Sequence, residues 1–353
     1  MSEALALSST AAAGARCRDD RLVACWLLAV AAMIFAMVVI GGITRLTESG
    51  LSITEWKPVS GVIPPLSAAD WQREFDLYKQ IPEFQKLRPD MTLAEFKGIY
   101  WWEYVHRLWG RLIGLAFAVP GLWLLLRGRI RPELRPRLAG LFVLGGLQGA
   151  LGWFMVKSGL ALRTDVSQYR LVVHLLFALL IYSLMLWIAF GLLRPEAHPL
   201  PGAAALRRHV ILLLALIVGM LATGGFVAGL DGGKIYNSFP LMGGRLIPGD
   251  ILALQPFWAN PFENPTTAQF IHRWLAMLVA ATVLALWLRR RRLPATARPP
   301  LHLVAAMTAV QVTLGISTLL LVVPVPLAAA HQAGAVLLLT FTLYALRSLR
   351  GAR

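Results

Sequence analysis

Charge is scarce in this chain, and cysteine is scarcer. Only 15% of the 353 residues are Asp, Glu, Lys or Arg, while 57% are hydrophobic and the mean hydropathy is +0.63. That composition does not suit a soluble domain with a solvated surface; it is that of a polytopic membrane protein. The two cysteines, Cys17 and Cys25, lack a Cys-x-x-Cys spacing and both precede or open the first apolar run. Neither a structural disulfide nor a thiolate metal site is expected from them. The first 23 residues also lack an apolar stretch ahead of an Ala-x-Ala-like site, so the first span is expected to be retained rather than cleaved.

Acidic residues number 18 against 34 basic ones, a net charge of +16. Such an excess invites a nucleic-acid partner, but its distribution argues against one. Eight apolar runs are legible, at about 24–44, 104–126, 138–157, 169–192, 209–230, 269–288, 301–323 and 327–346. Each approaches the roughly 20 residues that carry a helix across ~30 Å of hydrocarbon, where only helix or closed barrel satisfies the backbone. With the N-terminus inside, the inner segments hold 19 basic and 5 acidic residues, a net +14, and the outer loops 12 of each. This positive-inside split predicts a multi-pass protein of the cytoplasmic (inner) membrane with both termini cytoplasmic. It favours contact with anionic lipid headgroups, and no nucleic-acid partner is expected.

The chain also repeats itself. Gly41-Gly42 through Gly50 lies over Gly224-Gly225 through Gly233 at an offset of 183; His106 lies over His272 at 166, Gln148 to Gly152 over Gln311 to Gly315 at 163, and His174 over His331 at 157. Falling offsets with helix order preserved mean a duplicated unit with shorter loops in the second copy. The expected fold is all-α: eight transmembrane helices as two tandem four-helix bundles, related by a pseudo-two-fold along the membrane normal because each copy has an even number of spans. The units would be a cytoplasmic tail (1–23), an N-terminal bundle (24–193) with a long outer loop (45–103), a cytoplasmic linker (194–208), a C-terminal bundle (209–346) and a cytoplasmic tail (347–353). The paired glycines offer small faces for a neighbouring helix or for a flat ligand. Within the outer loop, Asp70 to Lys79 and Thr92 to Phe96 read as short amphipathic helices, the second with a capping box. That loop, with Trp56, Trp71, Trp101 and Trp102, would either cover an outward-opening site or lie as an aromatic belt at headgroup level.

Histidine at membrane depth is expensive, and here four recur at matched positions, each opening an outward-to-inward span: His106, His174, His272 and His331. On alternate helices of a four-helix bundle, two histidines face each other across the core and can grip one metal. A flat haem needing two axial ligands suits this better than zinc, which wants four nearby ligands. Arg107 and Arg273 follow two of these histidines directly. Each is placed either to pair with a haem propionate or to snorkel at a helix start. Glu103 stands three residues before His106, where the second copy has Gln269. A carboxyl there can stabilise developing positive charge or relay a proton; a solvated helix-start acid is the alternative. His198, His209 and His302 have no repeat partner and read as interfacial.

Glu-x-x-His-Arg at 103–107, His-Arg at 272–273, His174, His331 and the Gly-Gly-x-Thr-Arg-Leu-Thr-x-Ser-Gly-Leu-Ser run at 41–52 together closely resemble the haem A synthase family, over essentially all eight spans. The resemblance implies an oxidoreductase that converts a ring methyl group of haem O to the formyl group of haem A, by two hydroxylations and a dehydration, for cytochrome oxidase. It implies haem b on His272 and His331 with Arg273 beside it, and substrate haem O on His106 and His174 with Arg107 beside it. Glu103 would be the catalytic carboxylate. A haem O-producing farnesyltransferase and an external electron donor are the partners it implies, and a homo-oligomer is compatible with it. The outer-loop cysteine pair of some members is missing here, which places the chain near the alphaproteobacterial and mitochondrial-like branch. From the residues alone, a dihaem cytochrome exchanging electrons with quinone would use the same four histidines, although it has no need of the Glu103–Gln269 asymmetry. A proton-relaying transporter fits less well, since no span is broken at corresponding places in the two halves.

Overall fold

The computed structural model describes residues 2–57, 60–162, 164–193 and 203–349. Its helices are α1 (Ser2–Leu46), α2 (Ala68–Tyr78), α3 (Pro82–Leu87), α4 (Leu93–Leu126), α5 (Arg135–Leu162), α6 (Gln168–Leu193), α7 (Ala203–Gly229), α8 (Asn260–Glu263), α9 (Pro265–Arg289), α10 (Pro299–Leu320) and α11 (Val325–Ser348). Among the described residues, eight of these are long and apolar enough to cross a membrane. No strand is present among them, apart from an isolated bridge between Met242 and Arg245.

Several boundaries differ from those read in the sequence. Residues 2–23, expected as a tail, are helix continuous with the first span. The segment has no proline and is rich in Ala, Leu and Arg, all strong helix formers. Within the linker expected at 194–208, residues 203–208 belong to α7, and 194–202, with His198, lie outside the described residues, as do 350–353 of the C-terminal tail. The largest difference is α4. Its Thr92–Glu95 capping box is present, but it opens the 34-residue span instead of a separate short helix. At 1.5 Å per residue that helix is about 51 Å long, so its first turns stand above a ~30 Å hydrocarbon layer.

Helix α1 lies against α4 and α6, and α5 against α6 and α4, which closes a ring of four with α4 and α6 on one diagonal. Likewise α7 lies against α9 and α11, and α10 against both, with α9 and α11 on the diagonal. The two rings meet through α6, which touches α7 and α11, and through α1, which touches α11. The buried apolar core runs through these contacts, from Val23, Leu27 and Val30 to Leu206, Leu213, Leu339 and Leu343. At the C-terminal end of α1, Arg45 bridges Asp165 at 2.8 Å and Asp231 at 3.1 Å, tying the α5–α6 and α7–α9 connections together. Glu48 and Asp231, 183 apart, share a left-handed backbone (φ 51°) just past α1 and α7.

The paired glycines divide their work. A methyl on Gly225 would stand 2.8 Å from Val172 Cγ2 of α6, and one on Gly42 would overlap the Gln332 amide of α11, which donates to Val38 O. Both therefore serve the seam between the rings. Gly145, by contrast, has open space beside it. Gly225→Ala is expected to cost about 1–3 kcal/mol through forced displacement of Val172, and Gly145→Ala nothing of that kind. Thermal unfolding of the purified variants should separate them, and equal midpoints would contradict this packing.

The loop at 45–92 folds onto the protruding end of α4. Trp71, Phe75, Tyr78, Phe96, Tyr100 and Tyr104 form an aromatic core with Leu51, Ile81, Ile99 and Val166. The Ser67–Asp70 capping box starts α2. Burial pushes the Glu83 carboxyl up to about 7 although Arg88 opposes it, and Tyr78 donates to that group at 3.2 Å. Trp56, Trp101 and Trp102 remain exposed. The loop is thus a packed unit with Trp71 in its core and Trp56 on its surface, while Trp101 and Trp102 project from α4.

Candidate functional site

The four histidines do not open their helices. His106 is the fourteenth residue of α4, His174 the seventh of α6, His272 the eighth of α9 and His331 the seventh of α11. All lie toward the N-terminal ends of the helices on the two diagonals, one pair in each ring. The rings of His272 and His331 face each other with centroids 6.5 Å apart and planes at 81°. Two imidazoles ligating one metal from opposite sides, at metal–nitrogen bonds of about 2.0–2.1 Å, put their centroids roughly 6 Å apart. The pair therefore fits a bis-histidine haem. His106 and His174 stand on the corresponding diagonal of the other ring. Among the described residues no group of three or more His, Cys, Asp or Glu is placed to hold a metal ion, and Cys17 and Cys25 are free.

Each histidine is opposed by a glycine on a neighbouring helix. A methyl on Gly41 would stand 3.2 Å from His106, on Gly152 3.1 Å from His174, on Gly224 3.1 Å from His272, and on Gly315 2.9 Å from His331. Only glycine lets the helices approach this closely while the imidazole stays between them. The first glycine of each Gly-Gly pair thus belongs to the histidine and the second to the seam. Gln148 and Gln311 also repeat. Gln311 Nε2 donates to the His331 carbonyl at 2.9 Å and lies 3.1 Å from its Nδ1; Gln148 Nε2 stands 3.1 Å from the His174 carbonyl and 3.2 Å from its Nδ1. Both amide oxygens are buried without a partner. The sequence showed these glutamines only as markers of the repeat; their recurrence four residues before a glycine was the available signal.

Glu103 is buried at 2% exposure. One oxygen accepts from Ser52 Oγ and the Ile53 amide, both at 2.7 Å, and the other from Arg107 Nη2 at 2.6 Å and Nε at 3.1 Å. It is the eleventh residue of α4, too far along for the helix N-terminus to account for it, since that effect fades within the first turn. The helix-start reading of Glu103 is therefore set aside. Ser52 and the Ile53 amide, which hold it, were not singled out in the sequence although Ser52 closes the 41–52 run.

Arg107 and Arg273 clamp equivalent loops. Arg107 donates to the carbonyls of Ile53 at 2.7 Å and Glu55 at 3.2 Å; Arg273 donates to those of Tyr236 at 2.5 Å and Ser238 at 2.7 Å. Ile53 and Tyr236, like Glu55 and Ser238, are 183 apart, the offset of the first repeat. Recurrence of the arginine thus follows from holding the segment after α1 and after α7. Arg107 spends its remaining Nε on Glu103, whereas Arg273 Nε is buried without a partner, as is Gln269 Oε1. Gln269 Nε2 donates to the Tyr236 carbonyl at 3.1 Å. A buried, unspent guanidinium nitrogen beside His272 suits the carboxylate of a haem propionate. Near Arg107 a cleft of about 320 Å³ opens under the loop, lined among others by Lys57, Arg73, Tyr104 and Arg111.

Comparison with known proteins agrees with this geometry. Residues 24–343 match the family of cytochrome oxidase assembly proteins designated COX15-CtaA, a span that contains all four histidines, Glu103 and both arginines. A protein of Rhodospirillum centenum named heme A synthase is 53% identical over 97% of this chain and 93% of its own length. Proteins of the same name from Nitrosospira multiformis and Azorhizobium caulinodans are 50% and 52% identical, over 93% and 91% of this chain and 93% and 92% of their own lengths. With its two histidine pairs inside the matched span, the chain belongs to the COX15-CtaA family of cytochrome oxidase assembly proteins.

Proposed function

We propose that this chain is a haem A synthase, oxidising a ring methyl group of haem O to a formyl group. The methyl carbon is hydroxylated twice, each time with one atom of dioxygen entering a C–H bond and the other leaving as water at the expense of two electrons and two protons, and the resulting geminal diol loses water to leave the aldehyde. The observation that carries this reading is the pair of diagonally opposed histidines in each ring, with a buried carboxylate beside only one of them, in a chain about half identical to proteins named for that activity.

In this reading His272 and His331 would hold haem b, and Arg273 Nε–H would donate to one propionate. When bound, haem b supplies single electrons to the neighbouring half. His106 and His174 bind substrate haem O through its iron. Glu103 supplies a fixed negative charge on the substrate side and stabilises positive charge developing as the methyl is oxidised. Arg107 pairs with that carboxylate and, through the carbonyls of Ile53 and Glu55, ties it to the loop after α1. The assignment of the reacting haem to the N-terminal half follows the carboxylate, since Gln269 has the shape of glutamate without its charge.

The chain's neighbour pattern, with the contacts α1–α11 and α6–α7 exchanging under a half-turn, supports two tandem bundles about a pseudo-two-fold along the membrane normal. The charge split supports an inner-membrane location with both termini cytoplasmic. The farnesyltransferase that makes haem O is the expected partner, because a hydrophobic haem is poorly delivered through water. An external reductant must supply the electrons.

The direct test is chromatography of haems extracted from purified protein. Haem b together with haem O, a hydroxylated haem or haem A is the expected result. Haem b alone, from cells that make haem O, would favour a dihaem cytochrome instead.

A further inference from the structure

The four histidines are not held alike, and the difference falls on one of them. His174 and His331 each lie against a glutamine, Gln148 and Gln311, from the adjacent helix. His272 Nδ1 lies 3.0 Å from Thr223 Oγ1, and that hydroxyl donates its only proton to the Met220 carbonyl at 3.0 Å. Thr223 must then accept from Nδ1–H, which fixes the tautomer and leaves the Nε2 lone pair for a metal. At the offset of 183 that relates Gly224 to Gly41, Thr223 corresponds to Ile40. Isoleucine has nothing to offer an imidazole, and among the described residues no side chain hydrogen-bonds the His106 ring. The ring's orientation differs as well. His174, His272 and His331 each turn the Cε1 corner of the ring toward their glycine, whereas His106 turns its Nε2–Cδ2 edge toward Gly41.

We infer that Thr223 is a positioning residue that makes His272 a permanent ligand, and that His106 is the ligand that comes away, opening an iron coordination position in the N-terminal half. The inference rests on the haem assignment above and deepens it. An oxidation that needs access to the iron cannot proceed while both axial positions are filled, and substrate must enter and product leave the same half. A histidine without a hydrogen-bonded anchor loses less on leaving the metal. Losing such an outer-shell partner typically lowers ligand affinity roughly 10- to 100-fold.

Carbon monoxide reports this directly, since it binds ferrous haem only where an axial position opens. The experiment uses purified full-length protein carrying its haems, reduced with dithionite and titrated with CO, with haem content measured in parallel. In the parent, haem b should resist CO while haem held by His106 and His174 responds. Thr223→Val keeps the side-chain shape and removes the hydroxyl; haem b should become CO-reactive, with at least about a tenfold rise in the responding fraction, or be lost. Thr223→Ser should restore the parent's behaviour. Ile40→Thr should depress the CO response of the N-terminal haem. Haem b as inert in Thr223→Val as in the parent overturns the inference, as does failure of serine to rescue, or an unchanged N-terminal response in Ile40→Thr. A parent protein that carries no haem b at all overturns the ligand assignment itself, and this inference with it.

Discussion

Alanine at His272 or at His331 is expected to strip the protein of its stable haem b absorbance. The two rings stand 6.5 Å apart from opposite helices of one diagonal. Each would supply one of two axial bonds, so either substitution leaves the iron with a single protein ligand. Among the described residues no third His, Cys, Asp or Glu is grouped with the pair to replace it. The remaining orienting groups, Thr223 and Gln311, act on the imidazoles and lose their purpose with them. His106→Ala should behave differently, leaving haem b in place and changing only the spectrum of haem held in the N-terminal half. The measurement is the reduced-minus-oxidised spectrum together with haem content per protein. An unchanged b-type spectrum in His272→Ala would defeat the assignment of the two halves.

Much of this architecture was legible in the chain itself, for identifiable reasons. Eight spans followed from hydropathy because lipid leaves the backbone few alternatives to helix. The duplication followed from offsets, and with it the diagonal pairing of His106 with His174 and of His272 with His331. Boundaries were less legible. A hydropathy window finds where the apolar run starts, not where helix starts, and α4 begins eleven residues before its apolar run, where the Thr92–Glu95 box caps it. For the same reason Glu103 looked like a helix-start acid when it is an interior, buried one.

What the sequence hid was mostly the ligands' second layer. Arg107 and Arg273 recur in both halves, and recurrence alone does not say whether a ligand or a loop is being held. Only the carbonyls of Ile53, Glu55, Tyr236 and Ser238 show that the loop claims both guanidinium groups, leaving Arg273 Nε as the free donor. In the Gly-Gly pairs, one residue opposes a histidine and its neighbour the other ring, a division that a one-dimensional repeat does not carry. The Thr223–Ile40 exchange was in plain view at the offset of 183, but it acquires meaning only once the hydroxyl is seen at 3.0 Å from His272.

Glu103→Gln is expected to lose most haem A formation while leaving haem b bound. The carboxylate accepts four hydrogen bonds, two of them from Arg107. Glutamine can accept at one oxygen only, so its amide nitrogen must face either the Ile53 amide and Ser52 or the Arg107 guanidinium, donor against donor. The buried cation then stands without its counter-charge. Loss of the fixed charge removes whatever stabilisation it gives to the oxidised carbon. Each ~1.4 kcal/mol so lost is a factor of ten in rate, and a positioned polar group commonly supplies two or three such factors. Ser52→Ala separates position from charge, since it removes one hydrogen bond and keeps the carboxylate; its loss should be much the smaller. The mirror change, Gln269→Glu, sets a carboxylate oxygen against the Tyr236 carbonyl that Gln269 Nε2 now satisfies. That should loosen the second loop and shift the haem b potential, yet leave most turnover. The quantity to compare is haem A formed per bound haem b in cells supplying haem O. Equal yields from Glu103→Gln and the parent would remove the carboxylate from the mechanism, and a larger loss from Gln269→Glu would move the reacting haem to the other half.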